Sequence, residues 1–527
     1  MLKVAFGGTS TQWLRTAIAL CRAFCCLVGL SYSVPKAMAA TVQISSTELV
    51  TISGVTAYDP QSLASTAAAR LRLSNRAETV EALADTIEVI YRQDGFLFAE
   101  VAVLKDTAGR KSIAVDEGVV DAVKFDGLKP DLASAVSRIL APAVRKAPVR
   151  QKTFERSLAL ASDLAGLQVQ AHLAPEGDKS ILFIEGSVRK QSGVAGVEMI
   201  PTRPGYALRG FVSQEFYGLG TPGDLTRLTG LVSRENGGGM SVAAFGTYRA
   251  PVSADGTYIE LYAGNVVGRR TFSDDQTTYR LRGFTAGALI GLVTRRDLQN
   301  FSYLIVEGEY QKTRSLFGLN QAESEAFSTR LHWTHGYDYV RGGILRWGLT
   351  ASAGVRPDDD KPTFTDGPRS FAHLRGEFGM VRVISRDSNS TIRFDGRAQI
   401  SATTLPEVER FSMGHAPFLR SYAPAEVDGD SGVSGTIEFS RAFENLHSGR
   451  IESIAPFAFL SGGVAWLEKP RQVFNERRSW QIASTGIGAD LRFGGWQMSS
   501  WIAFPFSDGP RTAAGDPAFY LSITRGW

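Results

Sequence analysis

Apolar and polar positions alternate along the last two thirds of the chain, up to its final residues. In the closing segment AFYLSITRGW, Phe519, Leu521 and Ile523 share one side, and the residues between them carry hydroxyl groups. A period of two is typical of a transmembrane β-strand with one face for lipid and one for the lumen. A terminal aromatic residue is a common ending for bacterial outer-membrane barrels, so Phe519 and Trp527 are predicted to form a C-terminal barrel signal. An edge strand of a soluble sandwich alternates similarly, so this segment alone leaves both structures open.

The same alternation recurs in successive segments after Gly193, separated by polar connections that contain Gly or Asp. Each segment has about ten residues, enough for a tilted strand to cross the hydrocarbon core. The connections alternate between short ones, such as SRDSNS, and long ones, such as RPDDDKPTFTDGPR. These features predict a 16-stranded antiparallel transmembrane β-barrel over residues 194–527, with both of its ends on the periplasmic side.

The chain before the barrel has a mixed pattern, in which strand, helix, helix, strand and strand follow one another twice. The longest helix of the first copy has apolar residues at helical spacing from Val80 to Ile90, and Gly95 ends it. The second copy repeats the order from VVDAVKFDGL to SILFIEG. We predict two tandem α+β domains over residues 45–118 and 119–187; a generic α+β pair is the alternative.

Residues 1–39 combine basic residues, an apolar stretch and the small-x-small sequence Ala37-Met38-Ala39, the pattern of a secretory signal peptide. All three cysteines lie within this segment, so the predicted mature chain has no thiol, disulfide or thiolate metal site. Beyond residue 40 no apolar run approaches the roughly 18 residues of a membrane helix. We expect a periplasmic protein, an extracellular protein or an outer-membrane barrel.

The amino-acid composition argues against nucleic-acid binding and is consistent with a barrel. The net charge of +4 is small for 527 residues and comes without a basic run, which gives no support to nucleic-acid binding. The 54 glycines and the 10% of aromatic residues suit the turns and the aromatic girdles of a barrel. The length leads us to expect two or three domains.

The tandem units resemble POTRA domains. The segments YRQDGFLFAEVAV and SIAVDEGVVDAVKFDG look like that family's Y-x-x-x-G-Y/F and v-x-E-G-x-i-x-x-v motifs, with Gly95, Phe96, Glu117 and Gly118 on the matching positions. In the barrel, FYGLGTPGDLTRLTGL over residues 216–231 is similar to the LGLGD hairpin of two-partner secretion transporters. The chain therefore resembles the POTRA-barrel superfamily in both of its parts.

Residues 411–439 look like the sixth external loop and the following strand of that family. The tetrapeptide Leu419-Arg420-Ser421-Tyr422 stands on the family's V-R-G-Y, Gly429-Asp430 on its G-D, and Glu438 on its strand acid. The segment PFAFLSGGVAW resembles the family's F-x-D-x-G-x-V strand. The resemblance implies that residues 404–430 form an internal loop that folds back into the lumen, occludes it and braces the barrel.

Three departures from the family pattern bear on this loop. Ser421 replaces a glycine, and Ser461 replaces the strand aspartate with which the loop arginine is expected to pair in this superfamily. Alternation places Ser461 on the lumen face. Arg420 is left with Glu438, with the serine hydroxyl and backbone carbonyls, or with no partner. The plug helix of many relatives is expected to be missing, because few residues separate Ala39 from the first strand.

Three further motifs predict no chemistry. Gly218–Gly223 match G-x-G-x-x-G, but a strand follows them where a dinucleotide fingerprint needs a helix. His332 and His335 match H-x-x-H, but in a strand residues three apart face opposite sides and cannot share a metal. The acids Asp358–Asp360 lack the alternate spacing of a calcium loop. We predict no metal site, no cofactor and no enzymatic activity.

The resemblance implies a two-partner secretion transporter of the haemolysin secretion and activation type. Such a protein recognises a large exoprotein through periplasmic POTRA domains and exports it unfolded through the barrel pore in the bacterial outer membrane. The implied partners are the exoprotein, outer-membrane lipids and the barrel-assembly machinery, with no nucleic acid, and the protein is expected to be a monomer. Two alternatives stay open, a factor that assembles or inserts other barrels and a passive diffusion channel.

Overall fold

A computed structural model gives the structure of the chain. It describes residues 38–43, 49–74, 77–96, 98–144, 148–176, 179–202, 205–271, 278–317, 320–340, 342–357, 368–385, 387, 389–415, 418–446, 451–469 and 477–527. The predicted signal peptide up to residue 37 and the acids Asp358–Asp360 lie outside the described residues. The chain forms two compact units, Met1–Val120 with Lys146–Arg150, and Asp121–Arg145 with Gln151–Trp527.

The first unit is an α+β domain with a four-stranded sheet. Its elements are β1 (Met38–Gln43), β2 (Leu49–Val55), α1 (Pro60–Leu73), α2 (Val80–Gln93), β3 (Glu100–Lys105) and β4 (Lys111–Asp116), in the sheet order β1-β2-β4-β3. Helix α1 begins after Asp59, whose carboxylate accepts the backbone N–H of Ser62. Apolar side chains of both helices and of the sheet, among them Ile52, Leu83 and Ile113, form the core.

Strand β1 does not follow from the sequence pattern. It pairs antiparallel with β2 from Gln43 opposite Leu49 to Met38 opposite Val55. Its first residues belong to the segment that the sequence assigns to the signal peptide, which ends at Ala39. In the sheet order, β1 is the edge strand beside β2.

The second unit begins with another α+β domain, whose element order is that of the first domain from β2 onward. Its elements are β5 (Ala122–Asp126), α3 (Pro130–Val144), α4 (Gln151–Ser162), β6 (Leu167–Glu176) and β7 (Lys179–Val188), in the sheet order β5-β7-β6. Strands β5 and β7 are parallel, and β6 and β7 are antiparallel, which is the arrangement of β2, β4 and β3 in the first domain. The predicted tandem α+β architecture is confirmed.

The rest of the second unit is a closed antiparallel barrel. Its strands are β8 (Gln191–Pro201), β9 (Tyr206–Tyr217), β10 (Leu225–Glu235), β11 (Met240–Pro251), β12 (Tyr258–Thr271), β13 (Thr278–Arg296), β14 (Asn300–Phe317), β15 (Asn320–Asp338), β16 (Gly343–Val355), β17 (Ser370–Val383), β18 (Ser390–Ser401), β21 (Ser431–Arg441) with its continuation β22 (Phe443–Leu446), β23 (Ile451–Trp466), β24 (Ser479–Phe493), β25 (Trp496–Pro505) and β26 (Ala518–Gly526). Between β18 and β21 lie a 3₁₀ turn (Glu407–Glu409) and the short strands β19 (Phe411–Met413) and β20 (Val427–Gly429). Because β22 continues β21 along β23, the barrel has 16 strands, as predicted.

The alternation of the strands separates an outer face from a lumen face. Leu460 and Ile487 are about half exposed on the outside, whereas Ser461, one residue further along its strand, is 2% exposed on the inside. The estimate of ten residues a strand is wrong for β13, β14 and β15, which have 19, 18 and 19 residues. Within the described residues no helix has the length and apolar character needed to cross a bilayer.

The second α+β domain contacts one end of the barrel. Arg296 at the end of β13 donates two hydrogen bonds of 2.7 Å to the carboxylate of Asp163, which follows α4. In the turn between β9 and β10 the carbonyl of Gly223 accepts the N–H of Ala165, and a Cβ on Gly223 would lie 2.7 Å from Leu164. Because strands alternate in direction, the connection between β18 and β21 lies at the opposite end.

Candidate functional site

The connection between β18 and β21 folds into the barrel. Within it β19 and β20 pair, with Phe411 opposite Gly429. Apolar residues of this connection pack against inward-facing Ala465 and Ile482 of β23 and β24 in one buried cluster; its members from the connection are Phe411, Met413, Leu419, Tyr422 and Val427. Residues 404–430, which we call the internal segment, therefore have a small apolar core against the barrel wall.

Arg420 makes the central polar contact of the internal segment. One of its guanidinium nitrogens lies 2.6 Å from Oε2 of Glu438 on β21, and both side chains are nearly buried. The guanidinium also lies over the rings of Phe459 and Phe457 on β23, at 4.3 and 5.4 Å from their centroids. An arginine held between a carboxylate and two aromatic faces joins the segment to two neighbouring strands.

Ser461, which replaces the aspartate of the family motif, does not bond to Arg420 in this structure. Ser461 lies opposite Thr436 on β21, one inward position away from the Glu438–Phe459 pair. Its hydroxyl lies 2.8 Å from the hydroxyl of Ser484 on β24. Arg420 and Glu438 are therefore brought together by the structure, whereas Ser461 bonds to its neighbouring strand.

The other residues of the tetrapeptide are buried around Arg420. The Tyr422 hydroxyl lies 2.8 Å from the carbonyl oxygen of Ser507 and 3.1 Å from that of Ala483. Leu419 and Ser421 are both 0% exposed. The left-handed backbone conformation of this turn falls on Leu419, with φ of +61°, and not on Ser421. A serine in place of the family's glycine consequently causes no backbone strain at its own position.

Glu409, which stands on none of the family motifs, fixes the first part of the internal segment. Its carboxylate lies 2.7 Å from a guanidinium nitrogen of Arg330 on β15 and 3.0 Å from Nε2 of His373 on β17. Arg330 also pairs with Glu309 on β14. Glu409 lies beside Glu407 and Arg410 in the segment LPEVERFSM, so no local pattern distinguishes it, and its partners are distant along the chain.

Glu426, also missed from the sequence, fixes the last part. Its side chain is 0% exposed, and one oxygen accepts the backbone N–H groups of Arg511 and Thr512 at 2.6 and 2.9 Å. Asp430, which the motif comparison placed on the family's G-D, accepts the N–H groups of Leu405 and Glu468 at 2.7 and 2.9 Å. The internal segment is thus bonded to the barrel near both of its ends and at Arg420.

The POTRA motif residues organise the first α+β domain. The Glu117 carboxylate accepts the N–H groups of Thr56 and Ala57 at 2.8 Å each and the Tyr91 hydroxyl at 2.6 Å. Burial and this hydrogen bond to the carboxylate both raise the pKa of Tyr91. Gly118 has φ of +73°, and a Cβ there would lie 2.4 Å from Phe98 Cβ. The Glu-Gly pair therefore fixes the turn that follows β4.

The adjacent motif ends helix α2. Gly95 has φ of +87°, which favours glycine at the end of a helix. Phe96 is 3% exposed, and its ring packs edge-on against Tyr58 and Tyr91, with centroids 5.9 and 5.3 Å apart. The Arg150 guanidinium lies over the same ring. The contacts of Gly95, Phe96, Glu117 and Gly118 therefore stabilise the fold of the first domain.

The G-x-G-x-x-G segment is a turn between β9 and β10 built around Asp224. This carboxylate is 0% exposed and accepts backbone N–H groups of Leu219, Gly220 and Thr221 at 2.6 to 2.9 Å. Burial raises the pKa of Asp224, but the hydrogen bonds from the backbone outweigh it and hold the pKa below its usual value. Because β10 follows, the glycines shape a hairpin that contacts the second α+β domain.

The remaining motif residues lie in the barrel wall. His332 has its ring nitrogens 3.0 Å from Thr350 Oγ1 and 2.7 Å from Glu307 Oε2. His335 packs its ring against Trp347, with centroids 5.7 Å apart. Phe519 is 50% exposed on the outside of β26.

The last residue lies at the seam between the first and last strands. Trp527 exchanges two backbone hydrogen bonds of 3.0 Å with Gly193, and its indole N–H donates to Gln214 Oε1 at 3.1 Å. Next to it, β26 and β8 pair from Gly526 opposite Val194 to Leu521 opposite Met199. The seam is therefore closed by a regular ladder.

Two solved structures share this architecture over most of their length. CdiB from Acinetobacter baumannii aligns with a TM-score of 0.67 at 12% sequence identity, over 99% of this chain and 100% of that chain. CdiB from Escherichia coli aligns with a TM-score of 0.69 at 16% identity, over 90% of this chain and 89% of that chain. The chain has the fold of CdiB.

The likeness to CdiB confirms the predicted fold class, tandem POTRA-type α+β domains followed by a 16-stranded barrel. It also confirms, at the level of the fold, the resemblance that the sequence motifs indicated. A structure of BamA from Haemophilus ducreyi lacking POTRA domains 1-3 aligns with a TM-score of 0.49 at 15% identity, over 86% of this chain and 94% of that chain. Neither a scan against protein-family models nor a search of curated proteins gave a match.

Proposed function

We propose that this protein is an outer-membrane translocator, which recognises a large exoprotein in the periplasm through its α+β domains and exports it unfolded through the barrel. The observation that carries the proposal is the internal segment, which folds into the lumen and is held there by Arg420. A barrel that is bonded to a segment within its own pore can change between occluded and conducting states by moving that segment. The fold of CdiB supports the same reading.

The barrel wall suits this function. Leucine, isoleucine, valine and phenylalanine side chains face outward, as lipid contact requires. Many inward charges form pairs across neighbouring strands, such as Arg209–Glu198 at 2.5 Å and Arg249–Glu260 at 2.6 Å. A polar lumen wall stays hydrated and lets an extended polypeptide pass without strong apolar contacts.

Client recognition is assigned to the α+β domains. The edges of the two sheets are β1 and β3 in the first domain, and β5 and β6 in the second. An extended client segment can add to such an edge through main-chain hydrogen bonds. Among these edges β1, β3 and β6 lie beside an antiparallel neighbour, whereas β5 lies beside a parallel one. A client strand can extend the ladder at any of them.

Two other functions have less support. A factor that inserts other barrels would use a weak seam between the first and last strands, but here β8 and β26 pair regularly and Trp527 adds hydrogen bonds to the seam. A passive diffusion channel would leave two α+β domains without a role. Our proposal assigns no catalytic step to the protein and treats it as a monomer with lipids and the barrel-assembly machinery as further partners.

The test uses co-expression with the large exoprotein that is encoded beside such a transporter. Deleting residues 45–118 should abolish export and client capture, while the barrel still inserts and shows heat-modifiable gel mobility. A fragment of residues 41–190 should bind the N-terminal region of the exoprotein in a titration. Normal export by the deletion variant, or no binding at high micromolar concentration, would favour the insertion factor or the channel.

A further inference from the structure

A group of arginines lies on the outside of the barrel, at the end away from the second α+β domain. Arg234 on β10, Arg269 on β12, and Arg280 and Arg282 on β13 are all exposed. Each falls on the same alternation as the exposed apolar residues of its strand, as Arg269 does with Val267. We call these four residues the outer arginine patch.

The strand register places the patch in a compact arrangement. Arg234 lies opposite Met240, Met240 opposite Arg269, and Arg269 opposite Arg280, so the row crosses four neighbouring strands, roughly 14 Å in all. Arg282 lies one outward position from Arg280 and directly opposite Arg314 on β14. Like charges directly opposite each other destabilise a sheet. Arg269 and Arg280 form one such pair, and Arg282 and Arg314 form another, in which Arg314 is also bonded to Glu323. An anion between the opposed guanidinium groups would relieve their repulsion.

Within the residues that the structure describes, no acid neutralises this patch. Lys312 lies 2.6 Å from Glu325, and Arg314 lies 3.1 Å from Glu323, so the acids on this face are already paired with other cations. In the part of the chain that the structure describes, none of the four patch arginines has an ion pair. Arginines that face the lumen differ in this respect. Several of them pair with an acid on a neighbouring strand, namely Arg209, Arg227, Arg249 and Arg330.

The depth of the patch follows from the aromatic residues beside it. Phe284, Tyr310 and Phe327 form a continuous outward cluster on β13, β14 and β15, with ring centroids 6.2 and 4.7 Å apart. Aromatic girdles mark the interface between hydrocarbon and headgroups. Arg282 is the next outward position beyond Phe284, so the patch begins at the level of the headgroups. Guanidinium groups there match phosphate oxygens in charge and geometry.

We propose that the outer arginine patch binds the phosphorylated headgroup of an outer-leaflet glycolipid, lipid A. The phosphates would lie between the opposed arginines, relieve their repulsion and hold the long strands β12 to β14 at the membrane surface. The proposal rests on the membrane placement in the proposed function, because only the surface-exposed leaflet meets this end of the barrel.

The experiment measures lipid binding to the full-length protein in detergent by native mass spectrometry. The probes are diphosphoryl lipid A, lipid A without phosphates, and inorganic phosphate. The test variant is R269Q/R280Q/R282Q. We expect the wild type to bind diphosphoryl lipid A, and the variant to bind it at least roughly tenfold more weakly, with affinities that fall as salt rises.

The matched control removes three outward arginines at the opposite rim, R382Q/R441Q/R525Q, each of which lies over an aromatic ring. This control should bind the lipid as the wild type does. Heat-modifiable mobility verifies that each barrel is folded. Equal binding by R269Q/R280Q/R282Q and the wild type, equal binding of the phosphate-free lipid, or displacement of the lipid by equimolar inorganic phosphate would overturn the proposal.

Export of the exoprotein by the same variants separates this proposal from the proposed function. Normal export together with lost lipid binding supports a lipid site that is independent of transport. Lost export with unchanged lipid binding overturns the lipid site and indicates that the patch contacts the emerging exoprotein. A wild-type protein that exports its client but does not bind diphosphoryl lipid A overturns the lipid site alone.

Discussion

Replacing Arg420 by alanine should loosen the internal segment while the barrel stays folded. The change removes the 2.6 Å bond to Glu438 and the contacts with Phe457 and Phe459, and it leaves the carboxylate of Glu438 nearly buried without its cation. Breaking a buried pair from one side costs about 3–5 kcal/mol. Since about 1.4 kcal/mol corresponds to tenfold, local opening should become at least about a hundredfold more frequent.

Hydrogen–deuterium exchange of the full-length protein in detergent measures this opening. Amides of residues 411–429 should exchange faster in Arg420→Ala, whereas those of the barrel strands should not change. If the protein exports an exoprotein as we propose, export should fall, while heat-modifiable mobility remains. The control is Arg227→Ala, because Arg227 pairs with Glu215 at 2.5 Å across β9 and β10 and its ion pair lies within the wall.

A double-mutant cycle refines the magnitude. If the arginine acts mainly through the carboxylate, Glu438→Ala added to Arg420→Ala should cost less than Glu438→Ala alone, because the charge left behind is gone. Exchange of residues 411–429 in Arg420→Ala that equals the exchange in Arg227→Ala would refute the reasoning. The remaining bonds of Glu409 and Glu426 would then suffice to hold the segment.

Three further outcomes are expected. Ser461→Asp places a second carboxylate near Arg420 and should slow exchange of the internal segment; unchanged exchange and proteolysis would contradict a contact between the two positions. Glu117→Gln weakens the bonds to Thr56, Ala57 and Tyr91 and should lower the local stability of the first domain by roughly 1–3 kcal/mol, seen as faster exchange of β2 but not of β26. Asp224 has a folded pKa below its unfolded value, so its stabilisation is complete above about pH 4 and is lost as the pH falls through the folded pKa. The difference between Asp224→Asn and the wild type in proteolysis of the turn should therefore be full at pH 7 and shrink as the pH falls below about 4; a difference that does not change with pH would refute this.

Much of the fold could be predicted because strand alternation and helical spacing are both visible in short stretches of the sequence. A strand between lipid and lumen must alternate, and a helix on a sheet must repeat its apolar residues every three to four positions. The estimate of about ten residues failed for the long hairpins of β13 to β15. In the membrane placement that we propose, their outward positions beyond the hydrocarbon need not be apolar, as Arg280 and Lys312 illustrate. Strand β1 was not predicted because its first residues, Met38 and Ala39, lie in the segment with the pattern of a signal peptide.

The internal segment was harder to predict in detail. Motif positions indicated Arg420 and Glu438, 18 residues apart, as possible partners, and alternation placed both strands near the lumen. The partners of Glu409 and Glu426 lie 79 and 85 residues away, and which strands they meet depends on how the segment enters the barrel. Local patterns carry no information on such contacts, because they arise only when the barrel is closed.

The seam between β8 and β26 has a consequence for biogenesis. Every other pairing in the barrel joins strands that are neighbours along the chain or are separated by the internal segment, but the hydrogen bond of Tyr520 to Glu198 spans 322 residues. Bringing the ends of such a loop together costs about 5 kcal/mol of chain entropy before any bond forms. Ring closure is therefore expected to be the slow and final folding step, and until then β8 and β26 expose unpaired edges that can aggregate. A catalyst that binds the edges of β8 and β26 and brings them together would therefore accelerate the slowest step of folding.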